Sequence, residues 1–163
     1  YSGIDGRTTI FDYWSVDTLR RWCNDGKYDT ALLTEDEKKL QKTYSQLLNL
    51  CNSEEAISDG TFYDLQYANP NSTVYDACNV YSYLRATEKE LLLIAVNFSK
   101  ETRRQEIRIP AEAFAYHKIE PQEKSVKATE LLSGKTIKCK LNPDTTIPVE
   151  IPALNGIILK FKL

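Results

Sequence analysis

The spacing of the apolar residues changes near Gly60, and this change constrains the fold more than any other feature of the sequence. Before Gly60, apolar residues recur at the three- and four-residue spacing of one helix face. After it, short segments rich in β-branched and aromatic residues are separated by turn residues, which is typical of an all-β sandwich or barrel. The chain is therefore expected to begin with helices and to continue as a β domain.

The first part of the chain predicts two or three helices. Ser15 can cap a short helix that Gly26 would end. Thr34 and Glu37 form a capping box, in which a hydroxyl and a carboxylate each satisfy a free backbone N–H. One more cap and turn are expected within residues 53–60. The apolar residues after the capping box fall on one stripe of the second helix: Leu40, Tyr44, Leu47, Leu48 and Cys51.

The second part predicts eight strands. Charged residues alternate with Gln105, Ile107 and Ile109, which indicates one wet and one dry face. The run from Leu91 to Phe98 is almost continuously apolar and is expected to be the central strand, covered on both sides. The strands are expected near residues 61–67, 79–86, 90–98, 104–110, 125–132, 135–141, 146–151 and 156–163.

These patterns predict a mainly β fold. It is expected to be an antiparallel Greek-key β-sandwich of about eight strands, preceded by two or three helices. Residues 1–59 are assigned to the helical part and residues 60–163 to the sandwich.

The composition excludes some classes of partner. With 42% hydrophobic residues, 27% charged residues and a net charge of -2, the chain lacks the basic excess of a nucleic-acid or membrane-surface binder. No stretch approaches the roughly 20 apolar residues that cross a bilayer. No nucleic-acid or membrane partner is therefore expected. Because the sequence contains no Met, we expect it to be a segment of a longer polypeptide.

The four cysteines show no metal-ligand spacing. Cys23, Cys51 and Cys139 occupy positions where an apolar side chain is expected, which favours packed free thiols over disulfides. Free thiols favour a reducing compartment, so a cytoplasmic location is preferred over a periplasmic one, although the compartment stays open. No cofactor and no metal site are expected.

No group of residues in the sequence has the pattern of a catalytic site. The acids at 35–37 and 54–55 lie in capping positions or turns, where a solvated surface is the expected role. His117 is the only histidine and is expected in a loop, without a Ser or Cys arrangement that would mark a nucleophile. No catalytic residue is therefore assigned.

The ten tyrosines raise the question of carbohydrate binding, because aromatic rings stack on sugar faces. Tyr81 and Tyr83 alternate within a predicted strand, where sheet packing explains them. Tyr67 and Tyr75 flank the polar loop 68–78 and are the candidates for a surface contact with a sugar.

Several blocks of sequence occur in a specific order. They are GIDGRTTIFDYW (3–14), YSQLLNLCNSEEAISDGTFYDL (44–65), LLLIAVNFSKETRRQEIRIP (91–110), ATELLSGKTI (128–137) and IPALNGIILKFKL (151–163). In this order they resemble the end of an α-amylase-family enzyme, from glycoside hydrolase family thirteen. The matching parts are the loop after the last barrel strand, the final barrel helix, and the central hairpin and closing strands of the next domain.

The resemblance implies a parent enzyme that acts on α-linked glucans with retention and carries its catalytic acids on earlier barrel strands. A (β/α)8 barrel takes roughly 250 residues, and fewer than 60 precede the strand-rich region here. The chain alone is therefore expected to be inactive. In the family, an Asp and an Arg in the final loop often hydrogen-bond a sugar, and Asp5 and Arg7 are the residues that match them. A structural ion pair or a solvated loop is the alternative.

The expected function is that of a non-catalytic carboxy-terminal domain that braces a catalytic barrel of the same polypeptide. Four residues of the helix stripe would supply apolar contacts: Leu40, Tyr44, Leu47 and Leu48. An uncovered stripe would also allow self-association. The α-glucan would then be bound only through the parent enzyme. The alternatives are a carbohydrate-binding module that uses surface aromatics such as Tyr67 or Tyr75, and a protein-interaction domain unrelated to sugars.

Overall fold

The computed structural model describes residues 16–163. The chain divides into two compact units, residues 1–49 and 50–163. Residues 50–59, which the sequence assigns to the helical part, thus belong to the second unit. The reason is that Ala56 is packed in one apolar cluster with Leu92 and Ile94 of the β-sheet.

The helical elements largely follow the sequence signals. Helix α1 spans Asp17–Cys23 and continues as a 3-10 turn at Asn24–Gly26. Helix α2 spans Glu35–Ser53 and α3 spans Glu55–Ser58. The capping box is confirmed, since the N–H of Thr34 donates to Glu37 at 2.8 Å and the N–H of Glu37 donates to the Thr34 hydroxyl at 3.3 Å.

A fourth helix was not expected from the sequence. Helix α4 spans Ala111–His117, with Pro110 in an extended conformation at its N-cap. His117 therefore ends a helix and does not lie in a loop, as the sequence predicted. The segment was hard to recognise because a single short helix carries little periodic signal.

All eight predicted strands are found within residues 16–163. They are β1 (Thr61–Asp64), β2 (Val80–Ala86), β3 (Glu90–Asn97), β4 (Arg103–Arg108), β5 (Gln122–Glu130), β6 (Thr136–Leu141), β7 (Thr146–Ile151) and β8 (Asn155–Lys162). One sheet has the order β1-β2-β3-β8-β5-β6, and β4 pairs with β7 in a second sheet. Every pairing is antiparallel. The predicted fold class, mainly β with antiparallel sheets and a few helices, is confirmed.

The core lies on the face of the six-stranded sheet that carries the side chains of Leu84, Leu93 and Phe161. Ile107 and Ile147, which pair across β4 and β7, belong to the same core cluster. Strand β3 is buried continuously from Leu91 to Ala95, as expected of a central strand. Each of these large apolar side chains contributes about 1.5–3 kcal/mol on burial.

The cysteines are free, but only one of them is buried. Cys139 is packed in the main core, and burial raises the pKa of its thiol. Cys51, which was expected to be packed, is exposed because it lies near the end of α2, a helix without buried residues. Cys23 is half-buried.

Residues 16–163 show neither a membrane-spanning helix nor a metal-binding cluster. None of the helices there combines the length and the apolar character needed to cross a membrane. The same residues contain no cluster of His, Cys, Asp and Glu side chains that could hold a metal ion.

Candidate functional site

The two predicted surface tyrosines have different environments. Tyr67 is 62% exposed, whereas Tyr75 is only 2% exposed. The Tyr75 hydroxyl donates to Gln66 Oε1 at 2.8 Å and shares a hydrogen bond with the Ser82 hydroxyl, also at 2.8 Å. The expectation of a surface position is therefore wrong for Tyr75, because its loop folds back over the core. Asp5 and Arg7 lie outside the described residues, and their role stays a prediction.

Tyr67 belongs to a cluster of rings with Tyr63, Tyr116 and His117. The Tyr63 and Tyr67 hydroxyls are 2.6 Å apart, and burial together with this hydrogen bond raises the pKa of Tyr63 to about 12. The ring planes are inclined to one another by 52–76°. Rings at such angles do not form a flat platform for a sugar chain.

His117 is held at the edge of this cluster. Its Nδ1 lies 2.9 Å from the Thr61 hydroxyl, and its Nε2 is buried without a hydrogen-bond partner among the described residues. Burial lowers the pKa of His117, which favours the neutral ring. His117 is therefore a packed aromatic residue. Among residues 16–163, no carboxylate hydrogen-bonds its ring to form a catalytic pair.

The outer face of the six-stranded sheet holds α3 through an ion-pair cluster. The Lys160 ammonium group contacts the carboxylates of both Glu54 and Glu90, and all three side chains are largely buried. The N–H of Ala56 also donates to Glu90 at 2.9 Å. Burial raises the pKa of Glu90, but the hydrogen bonds from Lys160 and Ala56 outweigh it and hold this pKa below 4.5.

Arg85 fixes the same helix from β2. Its guanidinium group donates to the carbonyl oxygens of Ala56 and Ile57 at 2.9 and 2.8 Å. These bonds satisfy carbonyl groups that a helix of four residues cannot pair internally. The start of the second unit is therefore anchored firmly on the outer face of its own sheet. We term the group of Glu54, Glu90, Lys160 and Arg85 the α3 clamp.

Part of this outer face remains uncovered. Phe62 and Tyr83 have ring centroids 5.5 Å apart, and Tyr81 follows at 5.8 Å from Tyr83. Phe62 and Phe98 are exposed. Exposed aromatic clusters are candidate surfaces for contact with another part of a protein.

A second uncovered apolar surface lies on α2, in the first unit. The stripe residues Leu40, Tyr44, Leu47 and Leu48 are 38–62% exposed, and α2 contains no buried residue. Their spacing places them on one face of the helix, as the sequence indicates. An amphipathic helix gains most of its stability from a partner that covers this face.

These features define the chain as a β-sandwich domain joined to a helical segment, with apolar surfaces left free on both units. The same fold occurs in solved α-amylase structures. One is AmyP in complex with maltose, at 18% identity and a TM-score of 0.56, where the match covers 78% of this chain and 21% of AmyP. Another is an Anoxybacillus α-amylase, at 18% identity and a TM-score of 0.53, with coverage of 77% and 23%.

A third similar structure is the noncanonical maltogenic α-amylase AmyB from Thermotoga neapolitana, at 14% identity and a TM-score of 0.57. The match covers 83% of this chain and 28% of AmyB. The chain thus corresponds to between 21% and 28% of the length of these structures. No protein-family model and no curated protein matches the sequence. The expected similarity to α-amylase-family enzymes is confirmed at the level of the fold.

Proposed function

We propose that this chain is the carboxy-terminal part of an α-amylase-type glycoside hydrolase, in which the β-sandwich braces a catalytic barrel formed by the rest of the polypeptide. The observation that carries the proposal is the uncovered stripe of α2, with Leu40, Tyr44, Leu47 and Leu48 exposed on one face. These leucines are 38–62% exposed, so covering what remains of each would contribute roughly half of the 1.5–3 kcal/mol of a full burial. In the complete polypeptide, the remainder of the barrel would cover this surface.

The length of the similar structures supports this choice of occupant. Each of them is about four to five times as long as the matched region, since the match covers only 21–28% of it. The neighbours with this fold therefore contain a large further part. A barrel surface in that part is the partner that an amphipathic helix at the end of a barrel would need.

The α3 clamp supports a bracing role for the sandwich. Lys160 ties Glu54 and Glu90 together, so the chain that leaves α2 is immediately fixed to two central strands of the sheet. A flexible linker at this position would let the two parts move independently. The clamp would instead hold the chain that follows α2 against the sheet of the sandwich, as a brace requires.

The chemistry would remain with the barrel. Retaining hydrolysis of a glycosidic bond requires two carboxyl groups about 5–5.5 Å apart, one on each side of the bond. The buried carboxylates of the clamp, Glu54 and Glu90, are instead both bound to Lys160, which occupies both of them. We therefore expect the catalytic step on α-glucan to take place in the barrel alone.

The test compares three products of the parent gene: the complete polypeptide, a version that stops after Asn49, and residues 1–163 alone. We expect the complete product to hydrolyse soluble starch, the truncated product to unfold at a lower temperature with less activity, and residues 1–163 to be inactive. A gene that encodes no barrel before Tyr1, or starch hydrolysis by residues 1–163, would overturn the proposal.

A matched pair of substitutions in the complete product sharpens this test. Leu48→Glu places a charge on the stripe, whereas Ser45→Glu places it on an exposed polar position of the same helix. We expect a clear loss of thermal stability for Leu48→Glu and a small effect for Ser45→Glu. Equal effects would indicate that the stripe faces solvent in the complete protein, as a protein-interaction domain unrelated to sugars would require.

A further inference from the structure

A groove open to solvent lies between the 71–76 loop and strand β4. It has a volume of about 850 Å³ and is lined by that loop, by residues 102–105 and by Glu150. A second hollow of about 530 Å³ lies beside it and extends over Pro148 and Val149. The two share several lining residues, Arg104 and Val74 among them, and form one continuous depression. We call this depression the β4 groove.

The walls of the β4 groove are held in place by the fold. The N–H of Glu106 donates to the carbonyl oxygen of Val74 at 2.9 Å, which ties the loop to β4. The N–H of Asp76 donates to the side chain of Gln105 at 2.6 Å. Gln105 itself is buried. A preformed groove of this kind needs little reordering when a ligand binds.

Four of the charged groups in the groove form two ion pairs. Arg104 Nε lies 2.9 Å from Glu150 Oε2, and Arg103 Nε lies 3.4 Å from Asp76 Oδ2. Glu106 also lines the second hollow, so the groove lining contains two guanidinium groups and three carboxylates. The excess carboxylate disfavours an anion, and a neutral ligand leaves both ion pairs in place.

The paired groups still have unused hydrogen-bonding capacity. Arg104 is 87% exposed in its side chain, and a guanidinium group has five N–H donors. The Ser72 oxygen accepts N–H groups from Val74 and Tyr75, which leaves its own O–H free to donate. Val74 is exposed beside these groups and offers an apolar contact. Donors, acceptors and a small apolar surface together match the hydroxyl edges and C–H faces of a sugar.

We propose that the β4 groove binds a neutral glucose oligosaccharide, with Arg104 and Glu150 hydrogen-bonding its hydroxyl groups and Val74 contacting a C–H face. The choice of glucose rests on the proposed function, whereas the neutral, hydroxyl-rich character rests on the groove itself. Each of its two hollows, of about 850 and about 530 Å³, lies within the range of about 300–1,000 Å³ typical of ligand sites. The tyrosine cluster around Tyr67 is disfavoured because its rings are steeply inclined to each other.

The experiment is a calorimetric titration of residues 1–163 with maltoheptaose, repeated with three variants. Arg104→Ala removes the exposed guanidinium group from the groove. Arg108→Ala removes an exposed arginine from the same face of the same strand, outside the groove. Tyr67→Ala removes the exposed ring of the tyrosine cluster. We expect saturable binding by the parent chain, at least about tenfold weaker binding by Arg104→Ala, and unchanged binding by the two controls.

Several outcomes would overturn the proposal. Absence of maltoheptaose binding would do so, as would equal losses for Arg104→Ala and Arg108→Ala. Loss of binding in Tyr67→Ala would place the sugar on the aromatic cluster instead. Saturable binding of inorganic phosphate that Arg104→Ala abolishes would mark the groove as an anion site. Each result is independent of the starch assay on the complete gene product, so failure here leaves the bracing proposal standing.

A structural control accompanies the titration. The Arg104–Glu150 ion pair is exposed, and such pairs contribute at most about 1 kcal/mol to stability. The Arg104→Ala variant is therefore expected to keep the unfolding midpoint of the parent chain. A second variant, Glu150→Gln, retains the size of the side chain and is expected to weaken maltoheptaose binding as well. Unchanged affinity in Glu150→Gln would remove Glu150 from the site.

Discussion

The side-chain amide of Asn69 pairs with the backbone of Arg108 as a neighbouring strand would. Asn69 Nδ2 donates to the Arg108 carbonyl oxygen at 2.9 Å, and Oδ1 accepts the Arg108 N–H at 2.7 Å. The same Nδ2 donates to the carbonyl oxygen of Leu65 at 2.9 Å. Asn69 is buried, so one side chain joins the loop to β4 and helps to position a wall of the β4 groove.

Replacing Asn69 with alanine should therefore destabilise the second unit. The Arg108 backbone would lose partners for its N–H and carbonyl groups, and each unsatisfied buried group costs about 1–3 kcal/mol. We expect the free energy of unfolding in urea to fall by about 2 kcal/mol or more. Asn71→Ala, at an exposed position of the same loop, serves as the control. Equal stabilities for the two variants would contradict the bridging role of Asn69.

The two flanking tyrosines should respond differently to removal of their hydroxyl groups. Tyr75→Phe removes a partner from both Gln66 and Ser82 inside the core, which should cost about 1–2 kcal/mol of unfolding free energy. Tyr67→Phe removes only an exposed contact with Tyr63 and should change stability by less than about 0.5 kcal/mol. Urea unfolding followed by circular dichroism measures both. A larger loss for Tyr67→Phe would show that the loop is arranged differently.

The α3 clamp should be sensitive to loss of its lysine. Lys160→Ala leaves the carboxylates of Glu54 and Glu90 close together and without their shared cation. Removing one partner of a buried ion pair costs about 3–5 kcal/mol, and partial exposure of the lysine places the expected loss near the lower value. Lys162→Ala, at an exposed position on the same strand, is the control and should be nearly neutral. Thermal unfolding of the two variants tests this difference.

The clamp also predicts how stability depends on pH. Burial raises the pKa of Glu90, but hydrogen bonds outweigh it and lower this pKa below 4.5. The stabilisation that ionised Glu90 provides is therefore lost as the pH falls through the lowered pKa. Burial lowers the pKa of Lys160, but its two glutamate partners outweigh it and raise this pKa above 10.5. That stabilisation is complete below 10.5 and is lost as the pH rises through the raised value.

Urea unfolding across this pH range provides the measurement. The free energy of unfolding should be greatest between these limits and should fall on both sides. In Lys160→Ala the alkaline decrease should become smaller, because the group that deprotonates there is gone. An unchanged alkaline limb in this variant would assign the decrease to other groups and not to the clamp.

Gly60 is required by the close approach of α3. A Cβ atom at this position would lie only 2.8 Å from Ala56 Cα. The backbone of Ala56 cannot move away easily, because Glu90 and Arg85 both hydrogen-bond it. We expect Gly60→Ala to lower the free energy of unfolding by about 1–3 kcal/mol, the range for overpacking.

Gly134 provides the comparison for Gly60. It has a φ of +72° with nothing within 4 Å of an added Cβ, so Gly134→Ala meets conformational strain alone. That strain costs about 1–2 kcal/mol. Urea unfolding of both variants, each combined with Arg85→Ala, separates overpacking from conformational strain. Removing Arg85 relaxes the clamp, so it should reduce the loss of unfolding free energy caused by Gly60→Ala and leave the loss caused by Gly134→Ala unchanged. Equal reductions would contradict the packing explanation.

The local elements of this protein could be predicted from its sequence. The alternation of Gln105, Ile107 and Ile109 with charged residues marked β4, and the continuous apolar run from Leu91 marked the central strand. The capping box at Thr34 marked the start of α2. These signals are readable because side-chain direction in a strand or helix is set by the local backbone alone.

The site-forming contacts depended on the tertiary structure. Glu54 and Lys160 are 106 residues apart, and Asn69 and Arg108 are 39 apart. Tyr75 and Tyr67 flank the same polar loop, yet one is buried and the other exposed. Whether a loop residue is buried depends on which distant strands fold beneath it, and local periodicity carries no information about that. The sequence alone therefore determined the eight strands and the first three helices of residues 16–163, whereas the fold decided α4, the clamp, the position of Tyr75 and the β4 groove.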